Sequence, residues 1–264
     1  MKQGKAASEV NVGALYTDMC GSQIYELIWG DNIHPGGLEE TKILAEKAGL
    51  KKGQKVLDIC SGLGGPARYL ASTYGCAMVG IDLLETHYNE ALKRTREAGL
   101  EHLVSFRLGN AMELPFEAAS FDAVWGQDAW CHVPDKAKLI AEAARVLKKD
   151  GIIAFTDHLE TEKMTDELRG LMQPLAIPNL QTLPGYVALL ANNGFTILSQ
   201  EDIGKGMGEQ YRQSNIILEN KFKDEVINRY GQEIYQGTID MFQMLVDAVE
   251  RGMAGRGRFV AKKK

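Results

Sequence analysis

The sequence is poor in cysteine and in unbroken apolar stretches. Its four cysteines are widely spaced, at Cys20, Cys60, Cys76 and Cys131, without a CxxC pair or a His/Cys spacing typical of zinc. A disulfide framework and a metal centre are therefore both disfavoured, and reduced thiols are expected. No run approaches the roughly 18 apolar residues of a membrane span, and the N-terminus lacks a signal-peptide core. These absences predict a soluble, cytoplasmic protein without a metal or a membrane partner.

Positive charge is also in short supply. The 264 residues contain 30 Lys and Arg against 35 Asp and Glu, which leaves a formal net charge of −5. The one basic run is the terminal Lys-Lys-Lys. This balance disfavours nucleic acid as a partner. We expect a small-molecule partner and a monomer or homodimer.

Apolar runs alternate with helical patterns along the first 160 residues. The runs predicted as strands are 55–60, 77–82, 103–108, 121–126 and 152–157. The helix before the last of these carries one apolar face and is predicted to end at Gly151. Strand and helix in alternation predict a doubly wound α/β sheet.

The alternation breaks after the fifth predicted strand. Two short helices are predicted around the proline-bearing stretch before residue 194, then a strand over 195–203, a helical region over 209–250 and a final strand. Without repeats or linkers, the chain is predicted to be a single domain. Its parts are a lid with N-terminal helices (1–50), a core (51–160), a substrate-lid insertion (160–194) and C-terminal strands with a long helix (195–264). The lid should cover the carboxyl edge of the sheet, where such sheets bind ligands.

The strongest motif is the glycine-rich turn VLDICSGLGG, residues 56–65, between a strand and a helix. Gly62 and Gly64 permit a tight turn and close approach to a ligand. Asp82 ends the next strand, where a carboxylate accepts hydrogen bonds from ribose hydroxyls. The spacing differs from G-x-G-x-x-G, and no P-loop lysine follows. Together these features predict a nucleoside site.

Four phrases, VLDICSGLGG, GID, GNAMELPFEAASFDAVW and RVLKKDGIIAFTD, resemble the class I S-adenosylmethionine-dependent methyltransferases. The resemblance covers about residues 50–160. It implies a seven-stranded Rossmann-like sheet with an N-terminal helical lid and a helical insertion after strand 5. It also implies methyl transfer, with S-adenosylmethionine as cofactor and S-adenosylhomocysteine as product.

The resemblance also implies roles for individual cofactor residues. Asp58 and the Gly62–Gly64 turn would face the methionine part, and Asp82 would hold the ribose. Adenine would be flanked by Leu83 and edged by Asn110 and Ala111, with Gln127 near the amino-acid part. Two positions depart from the family, which usually has glycine at Cys60 and aspartate at Asn110. Asn110 still offers a donor and an acceptor to adenine.

The flanks, 14–42 and 125–136 together with the ending RGMAGRGRFVAKK, resemble the sarcosine and dimethylglycine methyltransferases and, more loosely, the phosphoethanolamine methyltransferases. The phrase W-G-x-x-I-H-x-G is shared with tocopherol-type methyltransferases. Methyl transfer from a sulfonium needs an aligned, neutral nucleophile and excluded water. The resemblance implies that Tyr16 is a latch and positioner and that His132 is its partner and a base. A structural role for His132, capping the turn before Pro134, stays open.

Several further side chains are candidates for binding the acceptor. Tyr25, Trp29 and Trp130 would form an aromatic wall around a methylated ammonium, the alternative being packing of the lid. Asp128 would hold the amine or the lid tyrosine, or else cap a turn. His34 and His158 would touch the acceptor, or else make local hydrogen bonds.

The predicted function is N-methylation of a small amine or amino acid of the sarcosine/dimethylglycine type. A phosphobase is disfavoured, because His158 and the apolar LAIPNL stand where the phosphoethanolamine enzymes have tyrosines and an arginine for phosphate. An acceptor with an apolar part stays open, as does O-, C- or S-methylation of another metabolite. Arsenite is less attractive, since the cysteines form no obvious constellation. A cofactor-binding scaffold without turnover is the non-enzyme alternative.

Overall fold

The computed structural model describes residues 21–172, 175 and 177–264, so Tyr16 and Cys20 lie outside the described residues. Seven strands form one sheet in the order β3-β2-β1-β4-β5-β7-β6, and β7 runs antiparallel to both of its neighbours. The predicted seven-stranded, doubly wound sheet is confirmed. The strands are β1 Lys55–Ile59, β2 Ala77–Asp82, β3 Val104–Leu108, β4 Phe121–Gln127, β5 Leu147–Glu160, β6 Phe195–Asp202 and β7 Ala254–Lys263.

Helices cover both faces of the sheet and its carboxyl edge. They are α1 Gly21–Trp29, α2 Gly37–Ala48, α3 Gly65–Tyr74, α4 Glu85–Glu97, α5 Lys136–Val146, α6 Asp166–Met172, α7 Leu183–Asn192, α8 Gly204–Ile217, α9 Lys223–Tyr230 and α10 Gln232–Glu250. Leu139 of α5 and Leu190 of α7 are buried on one face, and Leu44 of α2 and Leu70 of α3 on the other. A sheet covered on both faces explains why β4 is almost entirely buried.

The predicted end of α5 at Gly151 is wrong. Asp135 caps the helix by accepting from the Lys138 N–H at 2.9 Å, but the helix ends at Val146. Leu147 already belongs to β5, where it is fully buried and pairs with Phe121. Burial of Leu147 in the sheet therefore overrides the helical pattern of the following lysines.

The helices α1, α6, α8 and α10 share a third apolar core above the sheet. The region predicted as helical over 209–250 is divided by a π-helical segment, Leu218–Phe222, and by Gly231, whose φ of 92° a helix cannot contain. No helix within the described ranges is long and apolar enough to cross a bilayer.

Lys136 at the start of α5 ties the segment after α6 to the turn after β4. Its side chain is buried, and its Nζ donates to the carbonyl oxygens of Cys131 at 3.3 Å, Val133 at 2.5 Å and Asn179 at 2.6 Å. The Asn179 side chain donates back to the Pro134 carbonyl at 3.1 Å. Burial lowers the pKa of Lys136, and the Asp157 carboxylate opposes that effect. One ammonium therefore fixes the carbonyls on either side of His132.

Replacement of Lys136 by methionine should reduce the free energy of unfolding by about 2–4 kcal/mol, because buried carbonyls lose their donor. Chemical denaturation followed by circular dichroism measures the change. Lys138→Met, on the exposed side of the same helix, should change stability by less than about 0.5 kcal/mol. Equal effects of the two substitutions would show that the carbonyl contacts of Lys136 contribute nothing.

Candidate active site

A cavity of about 840 Å³ opens at the carboxyl ends of β1, β2 and β4. The chain leaves β1 toward β2 on one side and β4 lies on the other, so the cavity lies at the switch point of the sheet. Its wall includes the predicted cofactor residues Asp58, Gly62, Asp82, Leu83, Asn110, Ala111 and Gln127. The structure therefore brings these residues together at one site.

The turn after β1 is shaped by close backbone contacts. Gly62 and Gly64 have φ values of 52° and 78°, and a Cβ on Gly64 would lie 2.5 Å from the Phe106 ring. A Cβ on Gly65 would overlap the carbonyl oxygen of Asp31. Cys60 adopts a φ of 62° at the position where the family usually has glycine, and its N–H donates to the Ile81 carbonyl at 2.8 Å. The turn thus keeps its left-handed conformation at Cys60 despite the side chain.

Asp82 is held in place at the end of β2. Its Oδ2 accepts from the Gly62 N–H at 2.8 Å, and its Oδ1 accepts from the Leu84 N–H at 3.0 Å. The Nδ1 of His87 lies 3.4 Å from Oδ1. Each carboxylate oxygen has a second lone pair, so the carboxylate can still accept from ribose hydroxyls.

Three buried polar atoms around the cavity lack a hydrogen-bond partner among the described residues: Asp58 Oδ2, Ser61 Oγ and Gln127 Nε2. Burial and the neighbouring Asp82 raise the pKa of Asp58 well above its usual range. An unpaired buried polar group costs about 1–3 kcal/mol. Two acceptors and an amide donor match the ammonium and carboxylate of an amino acid, so these residues fit the methionine part of S-adenosylmethionine.

The remaining cofactor candidates form the outer wall. Leu83 is 63% exposed, which leaves its apolar surface available to an adenine ring. The Oδ1 of Asn110 accepts from the Met112 N–H at 2.9 Å. Its amide nitrogen is then available to an adenine edge.

A second cavity of about 80 Å³ adjoins the first, and the two share the wall residues Ile33, His34, Asp128 and His132. It contains six predicted residues: Tyr25, Trp29, His34, Asp128, His132 and His158. It also contains residues that sequence reasoning missed: Cys131, Leu175, Ile177, Tyr211, Met241 and Leu245. We call it the acceptor cavity, after the role proposed for it below.

Trp130 does not belong to the aromatic wall predicted for it. Its side chain is fully buried, its Nε1 donates to the Ile59 carbonyl at 3.1 Å, and its ring stacks on Phe155 at 4.4 Å. With its one donor satisfied, Trp130 packs in the core and lines neither cavity. Tyr211 takes the place expected of Trp130, with its ring centroid 6.0 Å from that of Trp29.

Asp128 lies between the two cavities in a strained conformation, with a φ of 51°. Its Oδ1 accepts from Arg256 Nε at 2.7 Å, and its Oδ2 accepts from Arg256 Nη2 at 2.5 Å and from the Thr156 hydroxyl at 2.8 Å. Burial disfavours the ionised carboxyl, but the Arg256 guanidinium outweighs this and lowers the pKa of Asp128 to about 2. The carboxylate is thus ionised and already paired. The alternating arginines of RGRFV on the last strand do not by themselves place Arg256 at the site.

His34, between α1 and α2, is linked by hydrogen bonds to the end of β4. The Nε2 of His34 lies 3.1 Å from Thr41 Oγ1, and the Thr41 hydroxyl also lies 3.0 Å from Gln127 Oε1. Burial lowers the pKa of His34 to about 4, so the ring is neutral near pH 7. The sequence offered no signal for Thr41, which lies 86 residues from Gln127.

Comparisons with known proteins identify the family of the chain. A family described as "Methyltransferase domain" matches residues 57–155. (+)-O-methylkolavelool synthase of Herpetosiphon aurantiacus is 31% identical, over 94% of this chain and 92% of that protein. Glycine/sarcosine/dimethylglycine N-methyltransferase of Actinopolyspora halophila is 29% identical over 83% of this chain, which spans 41% of that protein.

A solved structure extends the likeness to the fold. Phosphoethanolamine N-methyltransferase 2 of Haemonchus contortus, in complex with phosphomonomethylethanolamine and S-adenosylhomocysteine, superposes with a TM-score of 0.89 at 26% identity. The match covers 98% of this chain and 61% of that one. One relative is matched over nearly its full length, and the sheet has a large cavity at the edge where the resemblance predicts the cofactor. The chain therefore belongs to the class I S-adenosylmethionine-dependent methyltransferases and is a small-molecule methyltransferase.

Proposed function

We propose that the enzyme N-methylates a small amine that has an apolar body and carries no acidic group. The observation that carries the proposal is the charge of the site: among the described residues, neither cavity is lined by a lysine or an arginine. An acidic acceptor whose amine is neutral carries an uncompensated carboxylate or phosphate, which needs charged or bidentate partners to leave water. The carboxylate of S-adenosylmethionine differs, because the ammonium of the same amino acid balances its charge. Arg256 is already paired with Asp128. An acceptor of the sarcosine type, or a phosphobase, therefore has no free cationic partner in this part of the chain.

The aromatic side chains of the acceptor cavity favour an amine. The ring centroids of Tyr25 and Trp29 lie 5.1 Å apart, and Tyr211 lies against Trp29. Ring faces attract the cationic methylated ammonium that transfer to an amine produces. The apolar body would pack against Leu175, Ile177, Met241 and Leu245.

His132 occupies the place where acceptor and cofactor would meet. It is half-buried and lines both cavities. S-adenosylmethionine supplies the methyl group at this junction. His132 would accept the proton that the amine loses, while the lid keeps water out. The predicted latch role of Tyr16 stays a prediction, as does the amine-binding role of Asp128.

O-methylation of an alcohol is the second candidate. It is favoured by the relative named (+)-O-methylkolavelool synthase, whose match is the most complete of those described above. The same apolar walls suit an alcohol with a hydrocarbon body. The cytoplasmic location, the absence of nucleic-acid and membrane partners, and a monomeric or homodimeric state also stay predictions.

One assay separates the candidates. The full chain with S-adenosylmethionine is offered paired amines and alcohols of the same carbon skeleton, together with sarcosine and phosphoethanolamine. Released S-adenosylhomocysteine and product mass are measured. Methylated neutral-bodied amines support the proposal, and methylated alcohols support the second candidate. Preference for sarcosine or phosphoethanolamine contradicts the charge argument, and cofactor binding without any product identifies a scaffold.

Replacing Asp82 by alanine should weaken S-adenosylhomocysteine binding by about 100-fold, because hydrogen bonds to a charged group contribute about 1.5–3 kcal/mol each and about 1.4 kcal/mol is tenfold in affinity. Isothermal titration calorimetry measures the change. Glu85→Gln, an exposed carboxylate three residues further on, is the matched control and should bind normally. Undiminished affinity of Asp82→Ala would remove Asp82 from the ribose site.

Substitution of His132 by alanine should lower kcat by about 100-fold, the scale of general base catalysis, and leave S-adenosylhomocysteine affinity within about twofold. Steady-state kinetics with an amine found by the panel, together with calorimetry, separates the two effects. His102→Ala changes an exposed histidine outside both cavities and should retain full turnover. A His132 variant with normal turnover would assign this residue a structural role.

A further inference from the structure

His158 has one nitrogen bound and one open. Its Nε2 lies 3.1 Å from the Tyr211 hydroxyl, whereas its Nδ1 has no hydrogen-bond partner among the described residues. The residue is only 9% exposed, and it lines the acceptor cavity. A buried polar atom without a hydrogen bond reduces the free energy of unfolding by about 1–3 kcal/mol. The open nitrogen therefore points to a ligand group.

Two neighbours, the Tyr211 hydroxyl and the Asp128 carboxylate, influence whether Nδ1 of His158 carries a proton. Burial raises the pKa of Tyr211 well above its usual range, so the phenol keeps its proton. The contact between Nε2 and this hydroxyl fits two tautomers, and donation from the hydroxyl to Nε2 is the one that places a proton on Nδ1. The Asp128 carboxylate, with Oδ1 3.9 Å from Nδ1, is too far for a hydrogen bond but favours an N–H on that side. His158 thus presents a donor to the cavity.

The neighbouring groups are already engaged. Asp157 accepts from the Cys131 N–H at 2.8 Å and from the Tyr186 hydroxyl at 2.6 Å. The Cys131 thiol lies 3.6 Å from the Asp128 carbonyl oxygen. Burial, together with the Asp157 carboxylate, raises the pKa of that thiol and keeps it protonated, although His158 opposes the shift. No hydrogen bond of good geometry joins Nδ1 to these groups, and the Cys131 thiol, which interacts with His158, is a weak donor that a ligand oxygen can displace.

We infer that His158 Nδ1 donates a hydrogen bond to an uncharged oxygen of the acceptor, a hydroxyl, ether or carbonyl, remote from the atom that is methylated. The remote position follows because His132 lines both cavities, whereas His158 lines the acceptor cavity alone. Tyr211 is then a positioning residue that acts through His158. This inference rests on the proposed function, and it adds a second polar group to the proposed apolar amine.

Three amines with one skeleton test the inference: 2-phenylethylamine, tyramine and 4-(2-aminoethyl)benzoate, which differ in the group opposite the amine. Their affinities for the S-adenosylhomocysteine-bound full chain are measured together with the ¹⁵N spectrum of the five histidines. The His158 signals are assigned with His158→Phe. Tyramine should bind about fivefold tighter than 2-phenylethylamine, the value of one neutral hydrogen bond. It should shift the His158 Nδ1 resonance, and the benzoate should bind most weakly.

Tyr211→Phe keeps the ring and removes the hydroxyl, so it should reduce the preference for tyramine to less than about twofold and redistribute the His158 tautomers. His158→Phe should abolish the preference. Both variants should bind S-adenosylhomocysteine as the wild type does, which excludes misfolding. Tyr230→Phe, whose hydroxyl bonds Gln23 outside both cavities, is the control and should change neither readout.

Three outcomes would each overturn the inference. They are equal binding of tyramine and 2-phenylethylamine, tightest binding of the benzoate, and a His158 resonance that does not shift when tyramine binds. The same holds if the Tyr211→Phe variant keeps the full preference. A His158 response without methyl transfer to any amine would contradict the proposed function alone, because binding is measured here with product cofactor.

Discussion

The ion pair between Asp128 and Arg256 is the interaction on which the site depends. The two side chains are 2% and 1% exposed, and their shortest contact is 2.5 Å. It joins the end of β4 to β7, and Arg256 Nη1 also lies 3.7 Å from Glu40 on α2. Removing one partner of such a buried pair costs about 3–5 kcal/mol, because the other charge stays behind without compensation. The wall between the two cavities therefore depends on β7, the strand farthest from it in sequence.

The same pair decides the electrostatics of the acceptor cavity. Arg256 pairs with Asp128, and Arg258 pairs with Glu40 and Glu201. The buried arginines therefore stabilise the protein's own carboxylates. An anionic acceptor would compete with those carboxylates in a medium where unpaired charge is costly. Neutral groups meet no such competition. His34, held neutral by burial, adds an uncharged polar side chain to this lining. His158 adds an unpaired ring nitrogen.

Sequence patterns predicted the parts of the molecule that local chemistry determines. The strands followed from apolar runs, and Asp82 and the glycine turn followed from a motif within 30 residues, since strand, turn and helix are neighbours along the chain. Tyr211, Arg256 and Thr41 could not be predicted, because packing of distant segments brings them to the site. The prediction for Trp130 was wrong for a related reason. Its sequence lies within a motif of candidate site residues, but contacts with the Ile59 carbonyl and the Phe155 ring orient its side chain into the core.

The two cavities differ in how they are prepared for their ligands. In the first cavity, Asp58, Ser61 and Gln127 each have a buried polar atom without a hydrogen-bond partner among the described residues. A ligand that pairs with these atoms would raise the free energy of unfolding. Gln127 is also linked through Thr41 to His34 in the wall of the acceptor cavity. A ligand that binds the Gln127 amide nitrogen therefore also contacts the hydrogen-bond chain that reaches His34. The wall shared by the two cavities is therefore already connected by hydrogen bonds, from Gln127 through Thr41 to His34.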